Sequence, residues 1–128
     1  MERLAIVSYP PADPAPDAWE GKFVQLTVHG GEHLVFAARV LHQFHNQILA
    51  RFLGERAVPH RWVDPQTLAI ASTDVAVAGG GRFRVDNVAH TLDLWDNSQA
   101  YGRFNDQGLA EKIAAAEHRW HTYRIQIS

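Results

Sequence analysis

The sequence predicts an α/β domain: a mixed β-sheet of about six strands with two helices packed on it. Short apolar or alternating segments recur along the chain, as in strands, and two stretches carry apolar residues at helical spacing. Their order is strand, strand, helix, several strands, helix, strand, which favours one sheet covered by helices. With 128 residues, 46% of them apolar, the chain has the size of one domain, expected to span residues 1–128.

The first two strands are predicted at residues 4–9 and 22–29. The first is an apolar run that ends at a proline, and a proline-rich loop follows over residues 10–16. The second alternates, with Lys22 on the same side as the valines and leucine that follow it. A lysine at the leading end of such a strand either snorkels from the edge of the core or points into a pocket.

A helical pattern follows the glycine pair at residues 30–31 and ends at Leu53. Its start is open, because residues 34–36 could equally be extended. The apolar residues that keep three- and four-residue spacing are Ala37, Ala38, Leu41, Phe44, Ile48 and Phe52. His45 falls inside this stripe, where it is either a hydrogen-bonded core residue or a catalytic base.

The segment after this helix predicts a small hairpin and then a strand that enters a glycine run. Residues 61–63 and 68–70 are the arms of the hairpin, with a turn at Asp64-Pro65. Residues 75–78 lead into the glycines at 79–81 as a further strand.

The stretch from the glycines to Gly102 predicts an anion site. Glycines let backbone approach a ligand closely, and Arg82 directly after them carries a fork of donors suited to phosphate or carboxylate. A hairpin of residues 83–85 and 92–95, joined by Asp86-Asn87, leads to residues 98–102, whose backbone amides could form an anion-binding nest. The alternative is a glycine-rich turn with no ligand.

The chain ends with a second helix and a last strand. Asn105 or Asp106 is the predicted N-cap of a helix that runs to about residue 118. Residues 122–127 alternate, as in a strand.

Composition and charge exclude several classes of function. The net charge of −2 gives no reason to expect nucleic acid or an anionic membrane as a partner. Cysteine is absent, so neither disulfides nor thiolate chemistry is expected. No apolar run has the length of a signal peptide or a membrane span. We expect a soluble, cytoplasmic monomer.

Four blocks of this chain occur in the order typical of one known family. They are residues 21–29 with their lysine, residues 44–48 with an aromatic-histidine pair, Gly79 to Arg82, and residues 98–102 (SQAYG). In these blocks the chain resembles the phosphohistidine phosphatase family, also called Janus/Ocnus. The resemblance implies removal of phosphate from phosphohistidine or a related phosphoramidate, in a protein or a small molecule, without metal or cofactor.

The resemblance also implies a role for each matched residue. His45 would be the catalytic histidine, acting as general base or as nucleophile. The phosphoryl group would be bound by Lys22, Gly81, Arg82, Ser98, Gln99 and Ala100. Three positions depart from the family: Phe44 replaces a tyrosine, Asp96 lies where the family has a glycine, and Arg39 is the nearest substitute for an arginine.

Two other classes remain open. A non-catalytic module that binds a phosphorylated or acidic ligand would also keep Lys22 and Arg82. A metal protein is suggested by eight histidines, among them His42 and His45 three apart on the predicted helix. Phosphate release from a phosphoramidate distinguishes the first class from an enzyme, and zinc binding that survives dialysis would indicate the second.

Overall fold

The computed structural model describes residues 4–128, which contain two helices, a six-stranded mixed sheet and a small two-stranded sheet. The predicted α/β class is therefore confirmed. In chain order the elements are β1 (Ala5–Tyr9), β2 (Ala18–Val28), β3 (Gly31–Ala38), α1 (His45–Glu55), β4 (His60–Asp64), β5 (Thr67–Ile70), β6 (Val75–Asp86), β7 (Thr91–Trp95), α2 (Leu109–Ala115) and β8 (Arg124–Ile127).

The large sheet has the order β1-β3-β2-β6-β7-β8. Its outer pairs, β1–β3 and β7–β8, are parallel, and the three inner pairs are antiparallel. The two longest strands, β2 and β6, pair from Ala18 opposite Asp86 to Val28 opposite Val75. They form the centre of the sheet, and the candidate site is built on them.

The two helices cover opposite faces of this sheet, because β2 alternates between two apolar sets. Val24 and Leu26 pack with Ile48, Leu49 and Phe52 of α1. The other face is richer in aromatic rings and packs against α2, with Trp19, Phe23, Phe36, Phe83, Ile113 and Trp120 in one cluster. Neither helix of the described chain has the length and apolar character that crossing a membrane requires.

The structure corrects the start of the first helix. Ala37 and Ala38 are buried in β3, and α1 begins only at His45. Because β3 lies between β1 and β2 and is buried on both faces over residues 34–38, its apolar run is continuous and mimics helical spacing.

The second helix is also shorter than predicted. It begins at Leu109 after Gly108, whose φ is 66°, so neither Asn105 nor Asp106 is its N-cap. The backbone of Asn105 is held elsewhere: its N–H donates to Gln25 Oε1 at 2.7 Å, and its carbonyl accepts from Gln25 Nε2 at 3.0 Å. These two bonds fix the loop against β2 before the helix can start.

Both predicted hairpins form, and the glycine run lies inside a strand. The small hairpin is confirmed as β4 and β5. The three glycines do not interrupt the strand, because residues 75–86 form one continuous strand, β6. The hairpin of β6 and β7 is confirmed, although Asp86 belongs to the strand and four residues, 87–90, make the connection.

Candidate functional site

A pocket of about 970 Å³ opens on the α1 side of the sheet, where β2 and β6 pass the first residues of α1. It brings together nine of the ten residues that the sequence singled out, from four separate parts of the chain. These are Lys22, Arg39, Phe44, His45, Arg82, Asp96, Ser98, Gln99 and Ala100. Gly81, the tenth, does not line the pocket but contacts His45 from beneath.

Lys22 and Arg82 form the cationic floor of the pocket. They are directly opposite each other on β2 and β6, and residues opposite each other on antiparallel strands project from the same face. Burial lowers the pKa of Lys22, and the positive charges of Arg82 and Arg39 lower it further. Arg39 lines the same pocket as a third cation, and the three charges concentrate positive potential for an anion.

Two carboxylates oppose this potential. Asp96 Oδ2 lies 3.9 Å from Arg82 Nη1, and both side chains are 42% exposed, so the pair is weak. Asp96 has a φ of 70°, and its Oδ1 accepts the N–H of Asn97 at 2.9 Å. Glu20 lines the same pocket. Three cations against two carboxylates leave a small positive excess.

The imidazole of His45 is held by backbone on one edge. Phe44 before it is extended, and the Phe44 N–H donates to Gln47 Oε1 at 3.2 Å, which fixes the start of α1. The Nε2–H of His45 donates to the carbonyl of Gly81 at 2.9 Å. A Cβ on Gly80 would lie only 2.7 Å from His45 Cδ2, so the ring packs where only glycine leaves room.

The opposite edge of the ring is open to the pocket. With the proton on Nε2, the neutral ring carries its lone pair on Nδ1. Within residues 4–128 no buried side-chain nitrogen or oxygen lacks a hydrogen-bond partner, and no protein group bonds to Nδ1, so this atom reaches solvent. Burial is the largest effect and lowers the pKa of His45. The charge of Lys22 also lowers this pKa, whereas the hydrogen bond to Gly81 and the charge of Asp96 raise it, and the net shift is downward. His45 is therefore a neutral acceptor at pH 7.

The segment after β7 forms a closed turn over the pocket edge. Ser98 N–H donates to Gly102 O at 3.0 Å, Gly102 N–H donates to Ser98 O at 2.7 Å, and Ser98 Oγ accepts the N–H of Tyr101 at 3.1 Å. The amide of Ser98 is thus not available to a ligand, contrary to the sequence prediction. In the described chain no internal acceptor binds the N–H groups of Gln99 and Ala100.

Several contributors to the pocket were missed by the sequence reasoning. Gly80 shapes the space for His45, and Glu20 adds charge. Asn46, next to His45, donates through Nδ2 to the carbonyl of Gln66 at 2.8 Å and so brings the tip of the β4–β5 hairpin to the pocket. Only the position of Asn46 beside His45 is visible in the sequence; the other contacts join residues far apart in the chain.

A metal centre was one of the open alternatives. His42 lies in the loop before α1, so the expected pair of His42 and His45 on one helix is not formed. Among residues 4–128, no three His, Asp or Glu side chains are grouped in a way that could hold a metal ion.

No protein-family model matches this chain, and no curated protein is similar to it in sequence.

Proposed function

We propose that this protein is a metal-independent phosphatase that hydrolyses P–N bonds in phosphohistidine, phospholysine or a related phosphoramidate. One observation carries the proposal: a neutral imidazole, that of His45, presents a free Nδ1 to a pocket whose floor is Lys22 and Arg82. An acceptor nitrogen beside paired cations is suited to phosphoryl transfer, which depends on positioning and on charge stabilisation.

The cations and the free amides of the pocket have roles in binding the phosphoryl oxygens. Arg82 offers a planar fork and Lys22 a point charge, and these two cations face the substrate from adjacent strands. Arg39 supplies the third cation, in place of the arginine that the resembled family has two positions earlier, where this chain has Ala37. The free amides of Gln99 and Ala100 can donate to a further oxygen.

His45 can act in two ways with this geometry. As a nucleophile, Nδ1 bonds to phosphorus while the P–N electron pair passes to the leaving nitrogen, which takes a proton from water; a second water then hydrolyses the phosphoenzyme. As a general base, Nδ1 takes a proton from the water that attacks phosphorus, the P–N electron pair passes to the leaving nitrogen, and the proton is returned to that nitrogen through the imidazolium or solvent. In both, Gly81 O stabilises the ring through Nε2–H. We further propose that the protein is a cytoplasmic monomer and needs no cofactor.

Asp96 favours a second candidate, a module that binds a phosphorylated or acidic ligand without turnover. A carboxylate 3.9 Å from Arg82 competes with a substrate anion for that guanidinium. A catalyst would have to overcome this competition in every catalytic cycle. This candidate predicts binding of phosphate analogues with no release of phosphate.

The test is phosphate release from phosphohistidine by the purified protein and by His45→Gln, in the presence of a chelator. We expect His45→Gln to lose at least about 100-fold in kcat, as is typical when a general base is removed. Binding of vanadate or phosphate should change little, and a melting curve checks that the variant is folded. Activity of the parent should fall as the pH drops through the lowered pKa of His45. A folded His45→Gln protein with parental turnover would refute the proposal.

A further inference from the structure

Exposed apolar side chains are concentrated beside the pocket. Six large apolar residues of the described chain are exposed, and five of them come from two segments, residues 40–44 and 62–63, that are close in sequence to residues lining the pocket. We call these five the apolar rim: Val40, Leu41, Phe44, Trp62 and Val63. The sixth, Val88, is in the turn between β6 and β7.

Each segment is held near the pocket by its own contacts. Arg39 and Phe44 line the pocket at either end of the first segment. The second segment is held by the hydrogen bond from Asn46 to the Gln66 carbonyl at the hairpin tip. Leu68, opposite Trp62, packs against the core under α1, so the hairpin lies along the helix with its tip at the pocket.

Phe44 connects the rim to the cations. Its ring centroid lies 5.4 Å from Lys22 Nζ, and the ring itself is 56% exposed. A ligand with its phosphoryl group on Lys22 therefore has an apolar surface immediately beside it. The other four rim residues do not line the pocket, so a small phosphoramidate inside it would leave them in water. A cluster of exposed apolar side chains next to a binding pocket marks a surface for a larger partner.

We infer that the apolar rim docks a polypeptide whose phosphorylated residue has apolar neighbours; this inference rests on the proposed function. The phosphoryl group pairs with Lys22, Arg39 and Arg82, and the neighbouring apolar side chains cover the rim. Glu20 and Asp96 at the pocket repel a segment with acidic neighbours, so the surface selects apolar over acidic sequences.

The experiment measures binding of three short peptides that carry a non-hydrolysable phosphohistidine analogue flanked by leucine, by serine or by glutamate. We expect the parent to bind the leucine peptide about tenfold more tightly than the serine peptide and the glutamate peptide least. Val40→Ser and Val63→Ser, at positions 78% and 54% exposed, should each lose about fivefold to tenfold of affinity for the leucine peptide. Val88→Ser, at a position 73% exposed, is the matched control and should bind like the parent.

The remaining outcomes distinguish failure of the docking surface from failure of the proposed hydrolysis. Equal binding of the three peptides by the parent would overturn the docking surface, whatever the activity on phosphoramidate. Selective binding of the leucine peptide without phosphate release from any substrate would retain the rim and overturn hydrolysis. A parent dimer that Val63→Ser converts to a monomer, with no peptide selectivity, would assign the rim to a second copy and overturn the inference.

Discussion

Replacing Gly80 by alanine tests whether the position of the His45 ring determines activity. The added Cβ would lie 2.7 Å from His45 Cδ2, 3.0 Å from its Nε2 and 2.7 Å from the carbonyl oxygen of Phe23. The Phe23 carbonyl belongs to the paired strand β2, which cannot retreat without disrupting the sheet. The contact with Phe23 O therefore remains as strain on the β2–β6 pairing, while the imidazole can move, towards the pocket.

The size of the effect follows from the contact distances. Carbon atoms in contact are optimally about 3.5–4.0 Å apart, so the ring must retreat by about 0.8 Å or more. Such a shift stretches the 2.9 Å bond from Nε2 to Gly81 O beyond hydrogen-bond length. A misplacement of about 1 Å at a catalytic group can cost about 100-fold in rate. Overpacking of this kind costs about 1–3 kcal/mol of stability.

The assay is phosphate release from phosphohistidine by Gly80→Ala at a temperature well below its melting point. We expect a loss in kcat of about 30- to 100-fold, with the affinity for phosphate retained because Lys22 and Arg82 are unchanged. Gly54→Ala is the control: its Cβ would meet only His60 Cε1 at 3.8 Å, and alanine in a helix should add about 0.5–1 kcal/mol. A folded Gly80→Ala protein with parental kcat would show that the Gly81 bond does not position the ring for catalysis.

Three further predictions concern charge and pH. Arg82→Ala should weaken phosphate binding measured by calorimetry, and Arg82→Lys should restore only part of it because a point charge lacks the guanidinium fork; unchanged binding would remove Arg82 from the site. Asp96→Asn keeps a residue that tolerates positive φ, and the variant should bind phosphate up to about fivefold more tightly at low salt, as expected for a pair worth about 0.2–1 kcal/mol, with a smaller gain at high salt. A loss of activity would instead give Asp96 a catalytic role. Burial lowers the pKa of His118, so the unfolded chain takes up a proton first and stability should fall as the pH drops below about 6.5 through the folded-state pKa. His118→Gln should flatten this dependence in melting curves, and an unchanged slope would contradict it.

The sequence predicted those parts of the fold that local patterns encode. The alternation in β2, the β4–β5 hairpin around Asp64-Pro65 and the number of helices were all visible because each depends on neighbouring residues. The helix boundaries were not visible, because they depend on distant partners. Burial between two strands gave residues 34–38 a helix-like run, and Gln25 holds Asn105 from 80 residues away.

The candidate site shows the same division. Lys22, His45 and Arg82 were selected from sequence blocks, and the structure does bring them to one pocket. The reason for the glycines was not predictable: Gly80 makes room for a ring 35 positions earlier, and the Gly81 carbonyl accepts a hydrogen bond from that ring. The Ser98 amide was expected to face a ligand but closes its own turn with Gly102, a pairing that composition does not reveal.

A comparison of two histidines in this protein bears on what His45 does. His118 uses both ring nitrogens internally: Nε2–H donates to Ile113 O at 2.8 Å, and Nδ1 accepts the N–H of Trp120 at 3.1 Å. A histidine with only a structural role is satisfied in this way. His45 is more buried at 5% exposure, yet it bonds backbone through Nε2 alone and leaves Nδ1 facing the pocket beside Lys22. The two interpretations, core residue and catalyst, concern two edges of one ring: the Cδ2–Nε2 edge is packed and fixed, and the Nδ1 edge faces the pocket, where the proposed function would have it take a proton or a phosphoryl group.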